Sequence, residues 1–220
     1  ENRMDKVMKK ILSFEGNIKE KILSKKVLNN LFIFAIVILA IIIRVLAFNY
    51  KSGDYVAFLK PWYDKIIELG RIHSLKYAIG DYNVPYITIL TLFTYIPISP
   101  LILLKTFSCI FDFILAIYSS KLLYEIIKEK KNADIICKIC FAVILFLPTV
   151  MIDSSVWSQC DSVYTSFIII SLYYLRKNKI LRSFIFLGVA FAFKLQVIFI
   201  LPIYFILYLK RKDISLLHFL

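Results

Sequence analysis

Residues 31–48 read LFIFAIVILAIIIRVLAF, a run in which Arg44 is the sole charge. At ~1.5 Å per residue it covers nearly the whole of a ~30 Å hydrocarbon layer. A cleaved signal peptide is the competing reading of an apolar stretch near a chain start. The run is too long for that, and no small-residue cleavage site follows Phe48. Ahead of it, residues 1–30 carry Arg3, Lys6, Lys9, Lys10, Lys19, Lys21, Lys25 and Lys26, with Met4, Val7, Met8, Ile11, Leu12, Ile18, Ile22 and Leu23 at helical spacing. That pattern predicts a basic amphipathic helix on the cytoplasmic face, so the chain crosses outward first.

The rest of the composition agrees. Of 220 residues, 60% are hydrophobic and 16% aromatic, gathered in long runs, which excludes a soluble enzyme, a disordered tail or a disulfide scaffold. The net charge of +13 sits mostly in short clusters between apolar runs, where cytoplasmic loops and anionic head groups account for it, so nucleic acid is not an expected partner. The expected fold class is all-α, a polytopic membrane helical bundle occupying residues 31–220. The chain opens at Glu1 without methionine and stops at Leu220 in a fresh apolar start, so it is expected to be C-terminally truncated.

Residues 49–100 form the expected outer loop. An amphipathic stretch, Tyr55–Leu69, is bent or reset by Pro61, and the apolar Pro85–Pro97 is read as a helix in the outer interface anchored by Tyr82, Tyr86 and Tyr95. Leu101–Ile127 returns inward to Lys128, Lys130 and Lys131. Ile135–Ile152 goes out, Asp153–Asp161 turns outside around Trp157, and Val163–Leu175 comes back to Arg176, Lys177, Lys179 and Arg182. Ser183–Leu209 then lies between two basic clusters. Both its ends are expected in the cytoplasm, which a straight helix cannot satisfy but a broken hairpin turning near Lys194 and Gln196, with Pro202 as a second break, can.

Polar groups cost least outside the hydrocarbon, so chemistry is sought in acids gathered on the outer side and in charges within spans. Asp54, after Ser52 and Gly53, is either a helix N-cap or a general base. Asp81, in GDYNVP at residues 80–85, is either an Asx-turn residue or part of a site. Asp153 and Asp161 flank Trp157 and read first as loop solvation or a helix start rather than catalysis; of the two, Asp161, opening a helix with Ser162, is the stronger site candidate. Arg44, Lys105 and Asp112 are charges inside spans that face the bundle interior or a wet cavity, unless the cations snorkel to head groups. Lys105 and Asp112, seven residues apart, share a face yet lie too far apart along the helix for an assumed ion pair. Lys194, set among apolar residues at the break, wants an anion, and a lipid phosphate is the obvious one. Cys137 and Cys140 form a CxxC without a second ligand pair, and His73 and His218 are isolated, so no metal site and no cofactor is expected.

Taken in order, GDY at 53–55, GDYNVPY at 80–86, Lys105 with Asp112, WSQCDS at 157–162 and AFAFKLQ at 190–196 resemble the GT-C superfamily of polytopic membrane glycosyltransferases, and most its bacterial mannosyltransferase-like branch, similar to the GPI-anchor mannosyltransferases. The resemblance covers roughly residues 44–220. It implies a GT-C bundle with an outer-loop interfacial helix layer, a polyprenyl-phosphate-linked sugar donor, an acceptor that is a carbohydrate, lipid or protein, and inversion at the anomeric centre. By resemblance Asp54 is the catalytic base and Asp81 a second site residue. Lys194 is assigned to the phosphate, supported by Gln196 and Arg44, with Lys105, Asp112, Asp161 and Trp157 lining the substrate site. The family is usually much longer than this chain. Two rival readings stand beside it: a transporter or flippase of a lipid-linked sugar, with charges along a path, and a non-catalytic membrane scaffold. The topology predicts that single cysteines at Ser52→Cys and Asn83→Cys label with an impermeant thiol reagent in intact cells; labelling only after lysis refutes it.

Overall fold

The structure, a computed structural model, describes residues 3–22 and 24–219. The side chains of Arg3, Met4, Ile18, Lys19, Lys21, Ile22, Lys25 and Lys26, and all of Leu23, which the sequence places in the amphipathic N-terminal helix, lie outside the described residues. The described chain is helical throughout, without a strand. It divides into two compact units, Glu1–Ile42 and Ile43–Leu220.

In the first unit, helix α1 spans Arg3–Ile22, with Val7, Met8, Ile11 and Leu12 all exposed. Helix α2, Lys25–Leu46, carries the apolar run, and its last turn, in the second unit, holds Arg44. The stretch Val27–Leu46 is long and apolar enough to cross a membrane, as is helix α5, Pro100–Ile127. Helices α6, Ala133–Phe146, and α7, Pro148–Ser155, pass the same test together, bent by 45° at Leu147–Pro148. Pro148 supplies no N–H and disfavours helix at the residue before it, which explains the bend. These two or three helices give the chain the make-up of a membrane-associated protein. Helix α8, Asp161–Arg176, and helices α9, Ile180–Phe193, and α10, Leu201–Lys210, are each shorter than the ~20 residues of a straight span.

Two boundaries differ from expectation. Asp153 is not in a loop: α7 runs through Ser155, and only residues 156–160 turn before α8. Tyr86 is not an interfacial anchor, because helix α4, Val84–Phe93, turns it inward, 1% exposed, with Ile87, Leu90 and Thr91. A break falls at Lys194, where the sequence placed the turn, while Pro202 starts a helix rather than interrupting one. Lys194 leaves helical geometry (φ −152°, ψ 131°), a 3-10 segment covers Leu195–Ile200, and Pro202 sits in the first turn of α10. The chain doubles back so that Tyr204 Oη lies 3.2 Å from Ser183 Oγ and 2.5 Å from Ser171 Oγ, joining α8, α9 and α10. Upstream, a π-helical turn, Tyr55–Leu59, runs directly into helix α3, Lys60–Glu68; its Lys60 N–H to Tyr55 carbonyl bond widens the helix just where Pro61 enters.

At the centre, α5 packs on α6, α7 and α8, and α8 on α9. Asp112, fully buried on α5, accepts hydrogen bonds from Arg44 Nε (2.8 Å) and Ser154 Oγ (2.5 Å) on Oδ2 and from Ser162 Oγ (2.5 Å) on Oδ1. The Arg44 guanidinium also donates to the Leu145 carbonyl at 2.9 Å. One turn and more away, buried Lys105 donates to the Ala47 and Tyr50 carbonyls at 2.8 and 2.6 Å, in the turn that follows α2, where the Ala47 carbonyl also accepts the Tyr50 N–H. The expectation that Lys105 and Asp112 do not pair with each other holds. Arg44→Ala strips the buried carboxylate of its cation and is expected to destabilise by about 3–5 kcal/mol. The Arg44→Met/Asp112→Leu double variant is expected to regain most of that loss. Chemical unfolding in detergent, followed by circular dichroism, measures both.

Candidate functional site

Ser52 sets the geometry of the first acid. Its Oγ accepts the Tyr55 N–H at 3.1 Å and donates to the Trp157 carbonyl at 2.9 Å, so Ser52 both starts the helix and ties it to the α7–α8 turn. At 3% exposed, Ser52 is closed to a thiol reagent, which corrects its choice as a labelling position and leaves the half-buried Asn83 to carry that test. Asp54 is therefore not the N-cap. It lies inside the first turn with helical backbone and makes no capping bond, and its carboxylate is released for other contacts. Gln159 Nε2 donates to Asp54 Oδ2 at 2.8 Å, while Tyr82 Oη donates to Gln159 Oε1 at 2.6 Å. The two bonds orient the amide. Burial pushes the Tyr82 phenol well above its usual range, so it remains a donor at any physiological pH.

The second acid sits on a loop that only glycine permits. Gly80 has φ +67°, and a Cβ there would stand 2.5 Å from the Trp62 ring. That close approach lets Trp62 meet Tyr82 edge-on, centroids 5.6 Å apart, with Tyr82 4.7 Å from Tyr86. Asp81 follows, exposed, and makes no hydrogen bond to the described residues, so the Asx-turn alternative is not realised.

The third group comes from the α7–α8 turn and the α9 break. Ser158 adopts φ +63° and the Gln159 N–H bonds back to the Asp153 carbonyl at 3.0 Å, a left-handed helix stop that swings Gln159 towards Asp54. Asp161 opens α8, where the helix N-terminus favours a negative charge. Lys194, released from α9 by its extended backbone, donates to Asp161 Oδ1 at 2.5 Å and lies 5.6 and 5.5 Å from the Tyr82 and Tyr164 ring centroids. Asp153 Oδ2 is buried and has no hydrogen-bond partner. Cys160, also buried, has its thiol pushed up to about 12 by desolvation.

These groups face one hollow of about 820 Å³. Of the residues singled out in the sequence, Asp54, Asp81, Trp157, Asp161, Lys194 and Gln196 line it together, drawn from four separate segments. Arg44, Lys105 and Asp112 do not, and their assignment to substrate is corrected: each is almost wholly buried and engaged with other helices, Arg44 and Asp112 mutually and Lys105 with backbone carbonyls. Asp153, Gln159, Tyr82 and Trp62 line the hollow as well. The sequence signalled Asp153 as an acid at the end of an apolar run and Gln159 as the polar centre of WSQCDS. Neither signal disclosed the partner. The wall carries the carboxylates of Asp54, Asp81, Asp153 and Asp161 against the single cation Lys194, a local reversal of the chain's +13. Among the described residues no group of three or more His, Cys, Asp or Glu side chains gathers as a metal-ligand set.

No protein-family model, curated protein or solved structure matches this chain. The geometry makes a clear demand of Gly80. Gly80→Ala forces Trp62 off Tyr82 and adds strain at a positive φ, at an expected cost of about 1–3 kcal/mol. The checks are a lowered unfolding midpoint and a shifted Trp emission spectrum; an unchanged pair of values refutes the packing argument.

Proposed function

We propose that the chain is a GT-C-type membrane glycosyltransferase. It moves a hexose, mannose by the sequence resemblance, from a polyprenyl-phosphate donor to an acceptor on the extracytoplasmic side. One observation carries the reading: the two outer-loop acids, the Trp157–Asp161 turn and Lys194 at the α9 break, separated by up to 142 residues between Asp54 and Gln196, line a single hollow.

In this reading Asp54 is the catalytic base. Gln159 holds Oδ2, leaving Oδ1 to take the proton of an acceptor hydroxyl as that oxygen attacks the anomeric carbon. The carbon–oxygen bond to phosphate breaks on the opposite face, inverting the centre, and the prenyl phosphate leaves with the electron pair. A phosphate leaves as a stable anion and needs little protonation, so one carboxylate suffices where glycoside hydrolysis usually employs two. Lys194 offsets the charge that builds on the departing phosphate, and its pairing with Asp161 keeps the ammonium in place before the donor arrives. Asp81 and Asp153 accept hydrogen bonds from sugar hydroxyls, and Trp157, Trp62 and Tyr82 offer ring faces to the sugar.

A transporter reading would set Lys105, Asp112 and Lys194 along one path. The first two are engaged in packing helices and do not line the hollow, which favours the transferase. In proteoliposomes supplied with labelled polyprenyl-phosphate sugars, Asp54→Asn is expected to lower transfer by about 10²–10⁴-fold without loss of fold, because Ser52 remains the cap. Retained transfer refutes Asp54 as base, and movement of labelled lipid across the bilayer without bond cleavage refutes the transferase reading.

A further inference from the structure

The proposed mechanism assigns work to the hollow and none to the buried cluster behind it. Asp112 is fully buried, and its two oxygens receive Ser154 from α7 and Ser162 from α8 as well as Arg44 from α2. Each serine is the immediate chain neighbour of a wall carboxylate: Asp153 precedes Ser154, and Asp161 precedes Ser162. Successive side chains on a helix point about 100° apart. A serine drawn inward to Asp112 therefore turns the acid beside it toward the hollow.

We infer that Asp112 is a positioning residue: by holding Ser154 and Ser162 on one carboxylate it sets the rotation of α7 and α8, and through it the placement of Asp153 and Asp161 and the grip of Asp161 on Lys194. The burial pattern agrees. Ser154 and Ser162 are 0% and 4% exposed, whereas the acids next to them are only partly buried. The arrangement has reinforcement on both helices. Ser155 donates to the Met151 carbonyl within α7, and Ser166, one turn after Ser162, lies 2.6 Å from the Ser162 carbonyl and 3.0 Å from that of Phe111 beside Asp112. A carboxylate serves here better than an amide. It accepts at both oxygens without a donor face that would need its own partner, and the Arg44 charge offsets its own.

The inference rests on the transferase reading for its meaning but not for its test. The Ser154→Ala/Ser162→Ala variant keeps the Arg44–Asp112 ion pair and cuts only the ties to α7 and α8. In the purified chain, Lys194 is modified at fixed pH with a small amine-reactive reagent and followed by mass spectrometry, with Lys60, whose side chain is 43% exposed, as internal reference. Loss of the Asp161 partnership is expected to raise the Lys194 rate several-fold relative to Lys60, at wild-type helix content. In the transfer assay the same variant is expected to raise the donor KM by about tenfold, the effect of one weakened charge-assisted bond, with a smaller change in kcat. Ser162→Ala alone should give a partial shift of the same sign. An unchanged Lys194 rate in the double variant overturns the positioning role whatever the transfer assay reads. A raised rate in a chain whose wild type transfers no sugar supports the positioning role and counts against the transferase reading alone.

Discussion

The structure depends on how a charged carboxylate is kept inside an apolar bundle. Leaving Asp112 dry and unpaired would cost several kcal/mol, so the sequence must bring donors to it from elsewhere. It does so from three other helices: Arg44 near the end of α2, Ser154 on α7 and Ser162 on α8. Van der Waals packing among Leu, Ile and Phe is tolerant of small slides and rotations. Directed bonds to one carboxylate are not. The relative rotation of α5, α7 and α8 is thereby specified in a core whose apolar side chains alone would leave it loose.

From that constraint the hollow follows. α7 and α8 meet in a five-residue turn, residues 156–160, closed by the left-handed Ser158, and this turn brings Gln159 across to Asp54 while Ser52 reaches back to the Trp157 carbonyl. The Ser52–Asp54 segment and the α7–α8 turn are thus clasped by reciprocal bonds. Lys194 is added by the break in α9: an intact helix would have kept its side chain on the helix surface, whereas the extended residue directs it at Asp161. Aromatic rings fill the spaces between charges, and Gly80 permits the tightest of those contacts.

The polarity of the wall is the physical basis for the proposed chemistry. In the proposed reading the four aspartates of this partly enclosed, ring-lined space accept hydrogen bonds from hydroxyls, and Lys194 alone faces an anionic group. A sugar joined to a phosphate supplies both. The buried Arg44 and Lys105, by contrast, direct their donors at groups within the protein, Asp112 and backbone carbonyls, away from the hollow.

Much of this was legible in the residues. Apolar run length marks α2 and α5, because a membrane-spanning helix needs a number of consecutive apolar residues that no local interaction can disguise. The break at Lys194 is legible because a cation between two apolar stretches of like-charged ends cannot lie in a straight span. Asp54, Asp81, Asp161, Lys194, Gln196 and Trp157 stand out as polar or interfacial residues among apolar neighbours. What the one-dimensional pattern leaves open is partnership. Whether Asp54 or Ser52 caps the helix that leads into α3 turns on a two-position difference in where helical backbone begins, and local propensity is nearly equal for the two. Arg44 and Asp112 look as suited to a substrate as to each other until the fold brings residues 68 positions apart within 2.8 Å. Hydrophobic periodicity determined by itself that helices form and which are long; only the tertiary structure decided which charges are consumed in holding them and which are left facing water, because a hydrogen bond depends on distances of a few tenths of an ångström that no spacing along the chain encodes.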